Sequence, residues 1–340
     1  MVMKELLAKC IEGNTLTEIQ AEQVMDSIME GKATPSQIAS LVSIMRLRGE
    51  TVDEIVGFTK SMKKHMTSIH YESDVVDTCG TGGDGASTFN ISTAAAIVVS
   101  SLKVKVAKHG NRAFSSKSGS ADVLETLGIN IQTTQDAAVK SLDDKNMSFL
   151  FAPMFHSSMK HAVNPRKEIG FRTVFNLLGP LSNPANAKRQ VIGVFSTEYA
   201  EKMAEALNRL GAEHVLLVTG RDGLDEISIS AETDVVELKN GVITRYVLHP
   251  NDFGLLEGDI EDIKVSNAQE SAELIEKIFR GTAPKSAENI VAINAAAALY
   301  VANYVQSFAD GVMFAKEAIQ NGLALQQLTV LRHQREENYA

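Results

Sequence analysis

A chain of 340 residues is longer than one hydrophobic core usually carries, so two domains are expected. Its 44% hydrophobic and 22% charged content is ordinary for a globular protein, and its net charge of -9 argues against a general nucleic-acid or membrane-surface binder, which would be basic. Two cysteines, Cys10 and Cys79, make neither a disulfide framework nor a metal-ligand spacing, which excludes a secreted disulfide scaffold and points to a reducing cytoplasm.

Residues 1–70 read as a small helical bundle. Thr17 with Gln20, Thr34 with Gln37 and Thr51 with Glu54 are capping boxes, each placed before apolar residues at helical spacing. Pro35 sits at a first helical position, and Gly31 and Gly49 are placed as C-terminal stops. No convergent polar chemistry marks this part, and its methionine-rich stripes read as core. The start M-V-M-K-E-L-L lacks the basic flank of a secretory signal. The longest apolar run, Ala94 to Val99, ends at Ser100-Ser101, short of the roughly 20 residues a membrane span needs.

From about residue 74 strand, loop and helix alternate, which argues for a central, mainly parallel sheet flanked by helices. Strand-like runs lie at Val75-Val76, Val104–Ala107, Phe149–Ala152, Val191–Phe195 and Val215–Thr219, with helical patterns such as Asp122–Leu127 and Ala200–Leu210 between them. Asn240-Gly241 between two further runs, Asp234–Leu238 and Val242–Leu248, predicts a hairpin. One segment interrupts the alternation: Pro165 to Leu178 reads as a single helix, opened by Asn164 and closed by Gly179-Pro180. It is expected to pack back on the N-terminal bundle, leaving a cleft and hinge between bundle and sheet. The expected division is a helical domain of residues 1–70 joined by the returning segment 165–182, and an α/β domain of residues 74–164 and 185–340.

The chemistry concentrates in Asp77 to Asn111. Gly80, Gly82, Gly83 and Gly85 fall within six positions after a strand, where bare backbone turns through positive φ and exposed N–H groups make an anion site. The glycines also fit the dinucleotide fingerprint G-x-G-x-x-G. A dinucleotide site, however, wants a helix at once and an acid about 20 residues on, whereas here the helix waits until about Ser92 and lysines follow. Asn90-Ile91-Ser92-Thr93 opens that helix, reading either as a phosphate-binding N-terminus or a plain cap. Lys108-His109-Gly110-Asn111-Arg112 and the serine-rich loop after it place cations and hydroxyls at a strand's C-terminal end. Asp225-Glu226 is a pair of hard oxygen ligands suited to magnesium, or an acidic turn. The histidines have no zinc spacing, and no nucleophile motif such as G-x-S-x-G is present.

G-T-G-G-D, N-I-S-T, K-H-G-N-R, S-S-K-S-G-S-A-D-V-L-E, F-R-T-x-F-N-x-L-G-P-L-x-N-P and D-G-L-D-E, in this order, resemble the anthranilate phosphoribosyltransferase family of tryptophan biosynthesis, nearly end to end. The resemblance implies a pentosyltransferase with a small helical and a large α/β domain, a homodimer associating through the helical domain, and two Mg²⁺ per subunit. It implies contacts to phosphoribosyl pyrophosphate from Gly80, Gly83, Asp84, Thr88, Asn90, Ile91, Ser92 and Thr93. Lys108, His109, Gly110, Asn111, Arg112, Ala113, Phe114, Ser115, Ser116 and Ser120 extend that list. Anthranilate falls to Gly80, Asn111 and Arg166, with His109 and His156 lining its pocket. Ser92 and Glu226 hold one metal, Asp225 and Glu226 the other. The chain departs from the family pattern at His156-Ser157-Ser158 and Asn164-Pro165-Arg166, which leaves the path of a Ser157–Pro165 loop to the structure. The alternatives are a pyrimidine nucleoside phosphorylase, which lacks the paired acids and this K-H-G-N-R, and a non-catalytic nucleotide- or nucleic-acid-binding relative. A relative that had drifted that way would have lost the acids or Arg166.

Overall fold

The structure, a computed structural model, describes residues 3–82, 85–113, 118–255 and 258–332. Four helices come first: α1 (Met3–Ile11), α2 (Glu18–Met29), α3 (Pro35–Arg48) and α4 (Val52–His65). Thr17, Thr34 and Thr51 accept from the N–H three residues on, and the Gln20, Gln37 and Glu54 side chains return the bond to the cap N–H. Each box satisfies two helix-end donors within one turn, which is why these boundaries are legible locally. Glu54 also reaches outward, accepting from the Leu16 N–H at 2.8 Å and Arg48 Nη2 at 2.6 Å. Gly57 lets α4 lie close to α2, since a Cβ there would come within 2.2 Å of the Glu18 carbonyl oxygen.

A seven-stranded sheet follows, in the order β3-β2-β1-β4-β5-β6-β7. The strands are β1 (Val76–Gly80), β2 (Val106–Gly110), β3 (Met147–Phe151), β4 (Arg189–Gly193), β5 (His214–Gly220), β6 (Thr233–Lys239) and β7 (Val242–Leu248). The first five are parallel, and β6 and β7 add an antiparallel edge. That edge turns through Asn240 and Gly241, both at positive φ, 50° and 83°. The chain winds from β1 to β3 in one direction and places β4 on the other side of β1. The C-terminal ends of β1 and β4 therefore flank a topological switch point, the usual ligand crevice of an open sheet.

One face of the sheet carries α5 (Ile91–Ser101), α6 (Ser120–Thr126), α12 (Ala268–Phe279), α13 (Lys285–Val301), α14 (Phe308–Gln320) and α15 (Leu323–Arg332) in one core. Both α5 and α13 are buried along almost their whole length, which explains their lack of an apolar stripe. The opposite face packs α11 (Thr197–Arg209) and the helical bundle, with α7 (Gln135–Lys145) covering β3.

The single helix expected from Pro165 to Leu178 is two. After the short α8 (Ala152–Phe155) and a 3₁₀ turn at Ser157–Met159, α9 runs Lys160–Ile169 and α10 runs Val174–Leu181. Gly170, at φ 70°, ends α9. Pro165 lies inside α9 instead of opening it, and α10 continues through Gly179-Pro180. The breaker signals misled because each proline costs its helix one N–H donor, a loss that packing on the bundle outweighs; the Pro180 carbonyl, at the end of α10, accepts from Gln190 Nε2 at 2.9 Å. The segment read as a loop bearing Arg166 is thus helical. Helix α9 packs on α3 and α2, and α10 on α4 and α3.

Candidate active site

At the switch point Gly80 of β1 is in register with Gly193 of β4. A Cβ on Gly80 would meet Asp225 Oδ2 at 2.7 Å, and one on Gly193 would meet the Asp225 carbonyl oxygen at 1.5 Å. The segment carrying Asp225-Glu226 therefore lies across both strand ends, in space that only glycines leave. The Gly82 N–H donates to Asp225 Oδ2 at 2.9 Å, joining the glycine loop to the acidic pair. Gly82 and Gly85 stand at φ 69° and 77°, the left-handed region other residues avoid. The loop's far end is pinned: Thr88 bridges Lys264, and the Phe89 N–H donates to the Ile263 carbonyl at 2.9 Å.

Asn90 caps α5, its Oδ1 accepting from the Thr93 N–H at 3.1 Å and from Ser92 Oγ at 3.4 Å. Its own N–H is held by Ser271 Oγ at 2.9 Å. Ile91 and Thr93 are buried, and Thr93 Oγ1 meets no hydrogen-bond partner.

Below the loop Lys108 is not a surface cation: it is 1% exposed within β2. Its Nζ donates to the Thr78 carbonyl at 2.5 Å and to Ser92 Oγ at 3.1 Å, and it feels the charge of Glu226. Its main counter-charge is Asp77, fully buried, which accepts from the His109 N–H at 3.1 Å and Asn183 Nδ2 at 2.7 Å. Burial pushes the Asp77 carboxyl up and the Lys108 ammonium down, and their mutual attraction opposes both shifts. Ser92 and Lys108 are thereby bonded to each other at the start of α5.

On the β2 side the His109 and His156 rings lie 5.1 Å apart. Each donates to a backbone carbonyl, Gly179 and Ser182 respectively, and each leaves a buried Nε2 with no partner. Burial first, then the neighbouring ring, lowers His109 to about 3; burial lowers His156 to about 4. Both are neutral, with an acceptor lone pair aimed into the interior. Arg166 is half-buried, its guanidinium 5.1 Å from the Phe175 ring centre; burial brings it to about 10, still a cation at neutral pH.

Asn111 is exposed, and its Oδ1 accepts from the Arg112 N–H at 2.8 Å. Gly110 and Gly119 let this stretch pass the start of α6: a Cβ on Gly110 would meet Ser120 Oγ at 2.2 Å, one on Gly119 the Ala113 nitrogen at 2.3 Å. Ser120 Oγ donates to the Asn111 carbonyl at 3.4 Å. The Arg112 side chain turns to α6, pairing with Asp122 at 2.9 Å and Glu125 at 2.5 Å. Asp122 also accepts from the Ala113 N–H at 2.9 Å, so it shapes the loop from within the helix. Gly83, Asp84, Phe114, Ser115 and Ser116 lie outside the described residues.

Asp77, Asn183, Asp122 and Gly193 escaped the reading of the sequence. Asp122, at the third position of its helix, carried a capping signal; the others carried none, because their partners are distant in the chain. Among the described residues no three or more His, Cys, Asp or Glu cluster as a metal centre. Ser92, Asp225 and Glu226 are nevertheless a hard oxygen set. They fit an ion such as magnesium, which takes one or two carboxylates and draws its other ligands from water and substrate oxygens.

A helical bundle beside a switched parallel sheet, with a glycine cradle facing paired acids, defines a glycosyltransferase of two parts. The chain matches the glycosyl transferase family α/β domain over residues 72–325 and the family's helical bundle domain over residues 4–66. It is 64% identical to the anthranilate phosphoribosyltransferase of Geobacillus kaustophilus, over 97% of this chain and 98% of that one. The Thermus thermophilus anthranilate phosphoribosyltransferase structure superposes with a TM-score of 0.90 at 39% identity, covering 96% of this chain and 98% of its own. The Saccharomyces cerevisiae enzyme in complex with PRPP and Mg superposes at 0.88 and 27% identity, covering 97% of each chain. In complex with 4-fluoroanthranilate it does so at 0.85 and 26%, covering 98% of each. The chain belongs to the anthranilate phosphoribosyltransferase family.

Proposed function

We propose that this chain transfers the phosphoribosyl group of 5-phosphoribosyl 1-diphosphate to the amine of anthranilate in tryptophan biosynthesis, giving N-(5-phosphoribosyl)anthranilate and pyrophosphate. The observation that carries the reading is the meeting of a glycine cradle with an acid pair, Gly82 N–H on Asp225, one strand away from the neutral His109–His156 pair. The nitrogen–C1 bond forms as the C1–oxygen bond to diphosphate breaks, and the amine proton passes to the departing pyrophosphate or to water. An aromatic amine is neutral at physiological pH and needs no strong base, which suits two imidazoles too acidic to act as one. Arg166 pairs with the anthranilate carboxylate, a charge-assisted contact, and with Asn111 holds the amine in line, while His109 and His156 line the pocket.

The N–H groups from Gly80 to Asp84, the start of α5 and the Lys108–Ser120 stretch hold the phosphoribosyl diphosphate. Ser92 with Glu226, and Asp225 with Glu226, would hold two magnesium ions, a reading supported by their hard oxygen donors. When bound, magnesium supplies positive charge against the developing pyrophosphate. The bundle with residues 165–182 acts as one domain, closing on residues 74–164 and 185–340 to exclude water. The homodimer forms through the helical domain, where Leu47 is 91% exposed and Ile11 72%. No helix among the described residues is long and apolar enough to cross a membrane, and both cysteines are free, which supports a cytoplasmic enzyme.

The test is anthranilate fluorescence followed with and without phosphoribosyl diphosphate and magnesium. Consumption that needs both additions supports the reading; a signal unchanged by either sinks it.

A further inference from the structure

Within helix α13 the stretch Ile290–Leu299 is apolar but for one side chain. Within Ala292–Ala298, A-I-N-A-A-A-A, Asn294 is 2% exposed. Asparagine is a poorer helix former than alanine and is costly to bury unless its amide is fully bonded. It is fully engaged: Nδ2 donates to the carbonyls of Ile227 and Ile290, both at 2.9 Å, and Oδ1 accepts from the Ile227 N–H at 3.0 Å. One side chain thus brackets both polar groups of a residue 67 positions away, as a neighbouring strand would. Ile227 is 1% exposed, so water does not reach these groups in its place.

Ile227 directly follows Glu226. The other end of the same turn is tied by Asp222, whose Oδ1 accepts from the Leu224 N–H at 3.3 Å and whose Oδ2 accepts from Ser228 Oγ at 2.5 Å and Ser230 Oγ at 2.6 Å. Asp225 and Glu226 are the residues held between these ties, and the helix bearing Asn294 packs on β1, β4 and β5, the strands beneath them.

We infer that Asn294, with Asp222 as its counterpart across the turn, is a positioning residue for the metal-binding carboxylates Asp225 and Glu226. It touches neither substrate nor metal; it sets the peptide from which Glu226 projects. Without the amide, the Ile227 N–H and carbonyl are unpaired in a dry site, and the peptide rotates to find partners. A small ion with near-octahedral demands is sensitive to such a rotation, and partners of metal ligands usually matter about 10–100-fold in affinity. The inference rests on the proposed role of the acid pair.

Manganese titration of the full-length protein in the presence of pyrophosphate, read by electron paramagnetic resonance of free Mn²⁺, tests it apart from activity. Asn294→Ala is expected to weaken Mn²⁺ binding about tenfold or more. The magnesium needed for half-maximal rate should rise in parallel, with the anthranilate KM within about twofold of wild type. Asp222→Asn, which leaves Asn294 and the Ile227 peptide intact, should weaken binding less and in the same direction; it decides the matter should Asn294→Ala fail to fold. Mn²⁺ binding equal to wild type in these variants, while Glu226→Gln loses it, overturns the positioning role. Binding retained in Glu226→Gln itself overturns the metal assignment, and this inference with it.

Discussion

The Asp225 carboxylate accepts the Gly82 N–H at 2.9 Å, so the acid pair and the glycine cradle are bonded to each other before any ligand is considered. A carboxylate on a loop amide is chemically what a phosphate oxygen on that amide would be. A phosphate oxygen bound at that amide would therefore have to displace Asp225 from it. This coupling, and the crowding around it, makes most of the site testable.

Replacing Asp225→Asn together with Glu226→Gln should raise the magnesium requirement and lower turnover, because neutral oxygens hold a hard divalent ion poorly. Initial rates across a magnesium series check this; a superimposable series counts against the assignment.

Gly193→Ala forces a Cβ into the space of the Asp225 backbone, 1.5 Å from its carbonyl oxygen. Backbone cannot swing aside as a side-chain tip can, so the acid segment must lift. The expected result is a stability loss of about 1–3 kcal/mol by denaturant unfolding, with turnover falling more than anthranilate binding. Ordinary kinetics in the variant would mean that the segment tolerates displacement.

Arg166→Ala should weaken anthranilate binding by about 2–3 kcal/mol, as for one lost charge-assisted contact. Fluorescence titration with anthranilate reads this directly. An unchanged affinity with full activity would remove Arg166 from the pocket.

His109 and His156 are held near 3 and 4 in the folded protein, below the ordinary value of 6.5. The unfolded chain therefore binds protons that the folded one does not. Their contribution to stability is complete above about pH 6.5 and is lost as pH falls towards 4, by about 1.4 kcal/mol per pH unit for each ring. Urea unfolding at pH 5, 6 and 7 should show this slope in wild type and a shallower one in His156→Gln. Parallel slopes would mean that the ring protonates in the native state.

Asp77→Ala leaves Lys108 buried against Thr78 and Ser92 without its main counter-charge. It also strips the acceptor from the His109 N–H and Asn183 Nδ2, two buried donors, at a cost of about 1–3 kcal/mol each. A melting temperature unmoved by the substitution would show that Lys108 sheds its proton or finds water.

What the sequence determined by itself is what neighbours along the chain decide. Thr17, Thr34 and Thr51 start helices because each partner stands three residues away, and Asn240-Gly241 turns because both residues accept positive φ. The glycine cluster, N-I-S-T and D-G-L-D-E were legible for the same reason and sufficed for the family. Tertiary structure decided the rest. Lys108 and Arg112 stand four apart in one basic motif, yet the first is buried under Ser92 and the second is drawn to carboxylates on α6. Gly170 outweighed Gly179-Pro180 as a helix stop, because packing against the bundle carries α10 past its proline. Asp77 with Asn183, Gly193 with Asp225 and Asn294 with Ile227 meet only when the sheet closes, since desolvation and crowding depend on what lies across space and leave no mark in local spacing.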